Sequence, residues 1–92
     1  MNKVTVAEVK RYLGLDGEEQ NALLAVFLSA AEHTVEKVLR RPIDKNTPEI
    51  CRTAVLFCVW QYYFHRDNGE FKAAELETTV AAMLSDIRKA AF

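Results

Sequence analysis

Histidine and cysteine are two of the residue types that could act as metal ligands or nucleophiles, and the sequence holds two of each: His33, His65, Cys51 and Cys58. None of them belongs to an HxxxH, HExxH or CxxC spacing, the patterns that present two metal ligands together. Cys58 would need a positioned base to act as a nucleophile, and the candidate acids and bases do not converge. We therefore predict no catalytic residue, no metal ligand and no cofactor, and interpret the protein as a non-enzyme.

The two cysteines also cannot form a disulfide with each other if their segment is helical. Cys51 and Cys58 are seven residues apart in the sequence. Two helical turns separate their Cα atoms by about 10 Å, whereas a disulfide needs Cα atoms within about 7 Å of each other. The sequence predicts two reduced thiols in the core of a cytoplasmic protein.

Glycines and arginines offer two further possibilities for binding chemistry. Gly14 and Gly17 are interpreted as turn residues, because no Lys-Ser or Lys-Thr pair follows them as in a phosphate-binding loop. Arg40 and Arg41, in LRRP (39–42), are the one local basic feature. They either end a helix, where cations are stabilised by the helix dipole, or contact an acidic partner surface or the DNA backbone.

The composition points to protein partners more than to nucleic acid. Half of the residues are hydrophobic, at the upper end of the usual range, although a chain this short buries only about 60–65% of its unfolded surface. The excess indicates apolar surface that is buried against partners. The formal net charge is −1, which excludes a strongly basic field that could grip nucleic acid unaided. The first residues contain no long apolar run, so secretion is not expected.

Four segments have helical periodicity, and capping residues predict where the first two begin. Thr5 and Glu8 form a capping box for the first helix, which ends at the glycines of GLDG (14–17). Asp16 is predicted to cap the second helix. Acidic residues occupy its first turn, and the helix extends to about Arg40.

The second helix carries more apolar surface than one core needs. At 100° per residue, its apolar arc spans roughly 200°, twice the ~100° that a surface helix needs. Leu28 and Val35 lie near the middle of the inner half, which we expect in the subunit core. The outer edge of the arc comprises three residues: Leu23, Val26 and Ala30. We predict that this edge, together with Arg40 and Arg41, contacts other subunits or partner proteins.

The third helix is predicted to begin with Thr47 as N-cap and Pro48 as first residue, and to end near His65. Its centre is the apolar run AVLFCVWQYYF (54–64), which is too short for a bilayer span of roughly 20 residues. Because this helix is apolar nearly all round, we predict that it is the central helix. Its aromatic residues are expected in the core rather than on a base-stacking platform.

The fourth helix is predicted over about 72–91. Its single apolar stripe comprises Leu76, Val80, Met83, Leu84 and Ile87. No segment has the period-two alternation of a strand, and no internal repeat is present. The sequence therefore predicts one all-α domain over residues 1–92, a small bundle of about four helices with a central apolar third helix.

The order of these segments resembles the head–tail connector family of long-tailed phages and prophages, also called adaptor or putative DNA-packaging proteins. The matching motifs are a Tyr-Leu-x-Leu-Asp turn at 12–16, an acidic start to a long helix, an Arg-Pro at its end, and Tyr63 to Arg66 as an aromatic-Tyr-x-x-Arg finish. The final MLSDIRK is similar to the family's closing Leu-Leu-x-Pro-x-Arg. The chain departs from the family in a short segment between Pro42 and Pro48, and in Asp86, where relatives often have proline.

The resemblance implies a ring subunit beneath the portal vertex of the capsid, which extends the DNA channel and receives the next connector or tail component. The implied partners are further copies of the chain in a dodecameric ring, the portal protein, and a downstream tail-side protein. At most non-specific contact with packaged DNA is implied, and no membrane contact. The implied location is the virion neck, with the host bacterial cytoplasm during assembly.

Two alternatives from other classes remain open at this stage. One is a small helical DNA-binding or regulatory protein, although recognition helices usually carry several exposed basic and polar residues and no predicted helix shows that cluster. The other is a helical protein-binding module of host origin.

Overall fold

Four α-helices form the fold in the computed structural model, which describes residues 1–65 and 73–85. They are α1 (Val6–Leu13), α2 (Asn21–Leu39), α3 (Ile50–His65) and α4 (Ala73–Met83). The described residues include no strand, and the prediction of an all-α fold with four helices is confirmed. Three predictions lie outside the described residues: the extension of the last helix to residue 91, Ile87 in its stripe, and the motif residues Arg66 and Asp86.

The two ends of α1 are the predicted ones. The Thr5 hydroxyl accepts a hydrogen bond from the Glu8 N–H at 3.2 Å, the contact expected of an N-cap. Gly14 follows the helix with φ 72°, a left-handed conformation that glycine adopts without a Cβ clash. The Glu8 carboxylate pairs with Arg52 of α3 at 2.5 Å, so the residue predicted to complete the capping box instead ties α1 to α3.

The predicted start of α2 was wrong. The helix begins at Asn21 with Gln20 as its N-cap, several residues beyond Asp16. The Asn21 N–H donates to the Glu18 carbonyl at 3.2 Å and the Asn21 side chain donates to the Glu18 carboxylate, so Glu18 belongs to a turn before the helix. The Gln20 side chain accepts a hydrogen bond from the Tyr63 hydroxyl at 2.6 Å and makes no capping bond. A local turn and a contact with α3 outweighed the capping signal in the sequence.

The loop before α3 holds the beginning of the chain. α3 begins at Ile50, slightly later than predicted. The buried Thr47 hydroxyl accepts from the Asp44 N–H at 2.9 Å and so stabilises the loop. The N-terminal ammonium of Met1 donates to the carbonyls of Asp44, Lys45 and Thr47 at 3.1, 2.9 and 2.9 Å. These bonds fix the first residues against the connection between α2 and α3.

The core is built where α2 and α3 face each other and where α1 and α4 cover them. Leu28 is 6% exposed and Val35 is fully buried, which confirms the predicted inner half of α2. The buried residues of α3 are Cys51, Ala54, Val55, Cys58 and Val59. The predicted stripe of α4 is buried at Leu76, Val80 and Leu84, whereas Met83 is 37% exposed and does not belong to it.

The arrangement is flat. Its dimensions are 40 × 30 × 17 Å, and the short one corresponds to two helix layers, because packed helices lie about 8–10 Å apart. α3 contacts the three other helices, and α2 does the same, so a central position for α3 alone stays a prediction. None of the helices within the described ranges combines the length and the apolar character that crossing a bilayer requires.

Candidate functional site

The two cysteines are poorly reactive thiols in the core. Both are free and buried, which confirms their predicted place in the core. Burial raises the pKa of the Cys58 thiol to about 12 and raises the pKa of Cys51 as well, because a thiolate loses its hydration in apolar surroundings. The thiolate is the nucleophilic form of cysteine, so neither residue is prepared for chemistry near neutral pH.

The histidines do not join the cysteines in a site. His33 is exposed on α2, and the His65 ring lies edge-on to Trp60 at the end of α3, with ring centroids 6.4 Å apart. Across residues 1–65 and 73–85, no group of three or more His, Cys, Asp or Glu side chains could hold a metal ion. The exposed outer surfaces of the helices are therefore the candidate functional site.

The outer edge of α2, named the α2 edge from here on, comprises Leu23, Val26 and Ala30. Val26 is 64% exposed, and Leu23 and Ala30 are partly buried. Val26 precedes the buried Val35 by nine residues, which places the two about 180° apart around the helix. The apolar arc of α2 thus extends from the core to the outside of the subunit.

Small side chains surround Val26 on this surface. The exposed neighbours on α2 are Ala22, Ala25 and Ser29. Such a face offers shallow recesses between short side chains, into which larger side chains of another helix can pack.

The outer face of α3 carries large apolar side chains. Four of them, named the α3 stripe from here on, are Ile50, Phe57, Trp60 and Phe64. Three are exposed, Ile50 at 53%, Trp60 at 37% and Phe64 at 55%, and Phe57 is partly buried. Their spacing of seven, three and four residues places them on one face of the helix. The Trp60 ring lies 6.4 Å from that of Phe57 and 5.3 Å from that of Phe64, so these three residues form a continuous apolar surface. Ile50 lies on the same face beyond the exposed Thr53.

The prediction that the aromatic residues of α3 lie in the core was wrong for Trp60 and Phe64. It describes Tyr62 better, since the Tyr62 ring stacks on Phe27 of α2 with centroids 6.0 Å apart, and its hydroxyl lies 3.0 Å from the Thr34 hydroxyl. One signal in the sequence could have identified the stripe. The bulky residues recur at spacings of three and four, opposite a face of smaller residues.

The arginines lie at the other end of α2. Arg40 is exposed with φ 60°, and its N–H closes the helix on the Glu36 carbonyl at 2.8 Å. The basic residue within the last turn is Lys37, so the predicted place of Arg40 in that turn was off by one position. Arg41 follows, partly buried. Fourteen residues separate Val26 from Arg40, about 20 Å along the axis, so the predicted interface residues form two groups rather than one patch.

A comparison with known families decides what these surfaces belong to. The family model of the phage gp6-like head-tail connector proteins matches residues 3–90. The chain belongs to this family. The resemblance that the sequence motifs indicated is thereby confirmed. No curated protein and no solved structure matches the chain.

Head–tail connector proteins are structural components of the virion that assemble with other head and tail proteins of the phage. A structural family is consistent with the non-enzymatic interpretation of the sequence. For a connector protein, exposed apolar helix faces such as the α2 edge and the α3 stripe are the natural place to look for assembly contacts.

Proposed function

We propose that this connector protein forms a homo-oligomeric ring of twelve copies at the virion neck. The ring lies beneath the portal protein, extends the DNA channel, and receives the next connector or tail protein on its other side. Free subunits are in the host bacterial cytoplasm until they assemble. The observation that carries the proposal is the family match over residues 3–90.

The exposed α2 edge supports contact with a protein partner. Val26 is 64% exposed although it is a β-branched apolar residue in the middle of a helix, and its neighbours carry no charge. A monomer gains nothing from such a face in water, whereas a subunit that packs against a neighbour buries it. The α2 edge therefore faces an adjacent subunit in the proposed ring.

The surface chemistry supports protein contacts over specific DNA contacts. Both the α2 edge and the α3 stripe are apolar, and the formal net charge of the chain is −1. Contact with packaged DNA is thus at most non-specific, and it weakens steeply with salt. A salt-resistant, sequence-specific complex in a gel-shift titration would favour the regulatory alternative instead.

Sedimentation and electron microscopy of the protein, alone at high concentration and mixed with portal rings, test this function. We expect the wild type to form rings or to bind the portal. Val26→Glu is expected to stay folded and to fail in assembly, because it places an unpaired charge in a packed interface. Ala7→Glu is the matched control, since it adds the same charge at an exposed position of α1 and is expected to assemble as the wild type does.

Two results would contradict the proposal in different ways. If the wild type stays monomeric under all these conditions and does not bind the portal, the proposed ring is contradicted. A Val26→Glu variant that assembles normally contradicts the role of the α2 edge but leaves the ring intact.

A further inference from the structure

A closed ring of identical subunits needs two different surfaces on each subunit, one for each neighbour. The α2 edge supplies only one of them. We propose that the α3 stripe of one subunit packs against the α2 edge of the next subunit. This inference rests on the ring proposed above and names the pair of surfaces that close it.

The two surfaces lie on different sides of the subunit. α2 and α3 pack against each other through their buried faces, where Phe27 stacks on Tyr62 and Thr34 meets the Tyr62 hydroxyl. Val26 of the α2 edge, and Trp60 and Phe64 of the α3 stripe, lie on the exposed sides of their helices, whereas Phe57 is partly buried and packs against the core. Contact between unlike surfaces on different sides is heterologous and continues from subunit to subunit, as a ring requires.

The side chains of the two surfaces are complementary in size. The α3 stripe projects large groups, among them Trp60 and Phe64, whereas the surroundings of Val26 are Ala22, Ala25 and Ser29. Ridges of large side chains pack into the grooves that small side chains leave on a facing helix. If two α3 stripes faced each other, large side chains would oppose large side chains with no recesses to fill. The small-residue face of α2 is therefore the better partner.

The area of the stripe matches the centre of a protein interface. Large apolar side chains present roughly 150–250 Å² each. With Ile50, Trp60 and Phe64 exposed at 53, 37 and 55%, the stripe leaves roughly 300 Å² of apolar surface in water. That is the size of the largest patch on an ordinary monomer, which is often functional. A standard interface of about 800 Å² per partner surrounds an apolar centre of this kind with a polar rim.

Charge decides the relative direction of the two helices. The α3 stripe begins next to Glu49, whose side chain is 70% exposed although its carboxylate pairs with Arg52 of α3 at 3.1 Å. The turn before α2 carries the exposed Glu18 and Glu19, of which Glu18 pairs with Lys10 at 3.6 Å. The end of α2 carries the exposed Lys37 and Arg40, of which Lys37 pairs with Glu77 at 3.0 Å. An antiparallel arrangement places Glu49 beside the basic end, whereas a parallel one places it beside the two glutamates.

In the antiparallel arrangement the stripe extends beyond the α2 edge along the same face of α2. The stripe from Ile50 to Phe64 spans fourteen residue steps, about 21 Å of helix, whereas the α2 edge from Leu23 to Ala30 spans seven. The rest of the stripe lies along the segment from Ala30 to Lys37, which includes the exposed His33. When Phe64 lies beside Leu23, Ile50 lies beside Lys37. Arg40 is then close to Glu49 of the neighbouring subunit, and the two separate groups of predicted residues become parts of one interface.

Mixing two single variants tests the pairing. Trp60→Glu destroys the stripe and leaves the α2 edge intact, whereas Val26→Glu does the reverse. We expect each variant alone to need at least about thirtyfold more protein than the wild type to assemble, because an unpaired charge in an interface weakens binding by that order. An equimolar mixture is expected to give a one-to-one complex and no rings, since one intact stripe meets one intact edge.

Phe64→Glu accompanies Trp60→Glu so that a folding defect in one variant does not decide the outcome, and thermal melts check both. If both stripe variants assemble as well as the wild type, the stripe has no role in assembly, although the ring itself is not contradicted. A mixture without complex overturns the pairing of stripe and edge. A wild type that never assembles contradicts the ring itself, which distinguishes that failure from the other two.

A charge exchange tests the relative direction of α3 and the α2 of the neighbouring subunit. Glu49→Arg and Arg40→Glu are each expected to weaken assembly, and the double variant is expected to recover it. Recovery in the double variant supports the antiparallel contact, and additive weakening overturns it.

Discussion

From Cys51 to Val59 the inner face of α3 is built from small side chains, whereas the outer face of the helix carries large ones. Inside, the residues that are fully buried are Cys51, Ala54, Val55, Cys58 and Val59. Outside, Ile50, Trp60 and Phe64 are exposed. Beyond Val59, Tyr62 packs on Phe27 of α2, so the contrast between small inner and large outer side chains holds for the part of α3 from Cys51 to Val59. The difference teaches that in a subunit of an assembly the largest apolar residues need not belong to its own core.

The largest loss of folding stability is expected from a substitution in the core face of α2. Leu28→Ala removes a side chain that is 6% exposed, and such truncations cost about 2–5 kcal/mol through lost burial and the remaining cavity. Val26→Ala, on the other side of the same helix, is expected to stay within about 0.5 kcal/mol. Thermal or urea unfolding of both variants measures the contrast. Equal losses would mean that one core uses both sides of α2.

The buried thiol of Cys58, on the inner face of α3, makes the free energy of unfolding depend on pH. Its pKa rises from 9.0 to about 12 in the folded state, so the fold holds the proton more tightly than the unfolded chain does. The stability from this group is fully present below about pH 9 and is lost as the pH rises towards 12, by up to roughly 4 kcal/mol at 1.36 kcal/mol per pKa unit. Urea unfolding at about pH 8 and about pH 11 measures the loss.

Cys58→Ala is the control for that titration, because it removes the thiol and leaves every other ionisable group in place. The variant is expected to lose less stability between the two pH values than the wild type. Parallel pH profiles for the two proteins would mean that Cys58 is not desolvated in the folded state.

A smaller effect on folding is expected from the outer face of α3. Phe→Ala in a core costs about 3–5 kcal/mol, but Phe64 is 55% exposed, so Phe64→Ala is expected to cost less than about 1 kcal/mol. The same change is expected to weaken assembly, because the side chain belongs to the α3 stripe. Unfolding curves and sedimentation of one preparation measure the two effects. A loss of stability typical of a core phenylalanine would abolish the difference between the faces.

The smallest change in folding stability is expected from a substitution at the end of α2. Arg40 has φ 60°, which is unfavourable for a residue with a Cβ and natural for glycine. Arg40→Gly is expected to raise stability by about 0.5–1 kcal/mol while it removes a charge of the proposed contact with Glu49. Urea unfolding detects the gain, and assembly assays detect the loss. A variant that is less stable would show that the arginine side chain stabilises the isolated subunit.

Local signals in the sequence predicted much of the fold. The Thr5 cap, the turn at Gly14 and the 3.6-residue periodicity act within a few positions along the chain, and the structure agrees with them. Burial of Leu28 and Val35, and of the two thiols, also followed from periodicity. Family membership could be inferred from the order of short motifs, since each of them lies within one helix or turn.

The beginning of α2 and the exposure of the α3 stripe were decided only by the tertiary structure. Gln20 is the N-cap without a side-chain capping bond. Its side chain accepts a hydrogen bond from Tyr63, more than forty positions away, and no local pattern contains that contact. Periodicity finds an apolar face by contrast with a polar one, and α3 is apolar on both faces. Which face enters the core depends on how closely α2 can approach it, and the smaller side chains allow the closer packing.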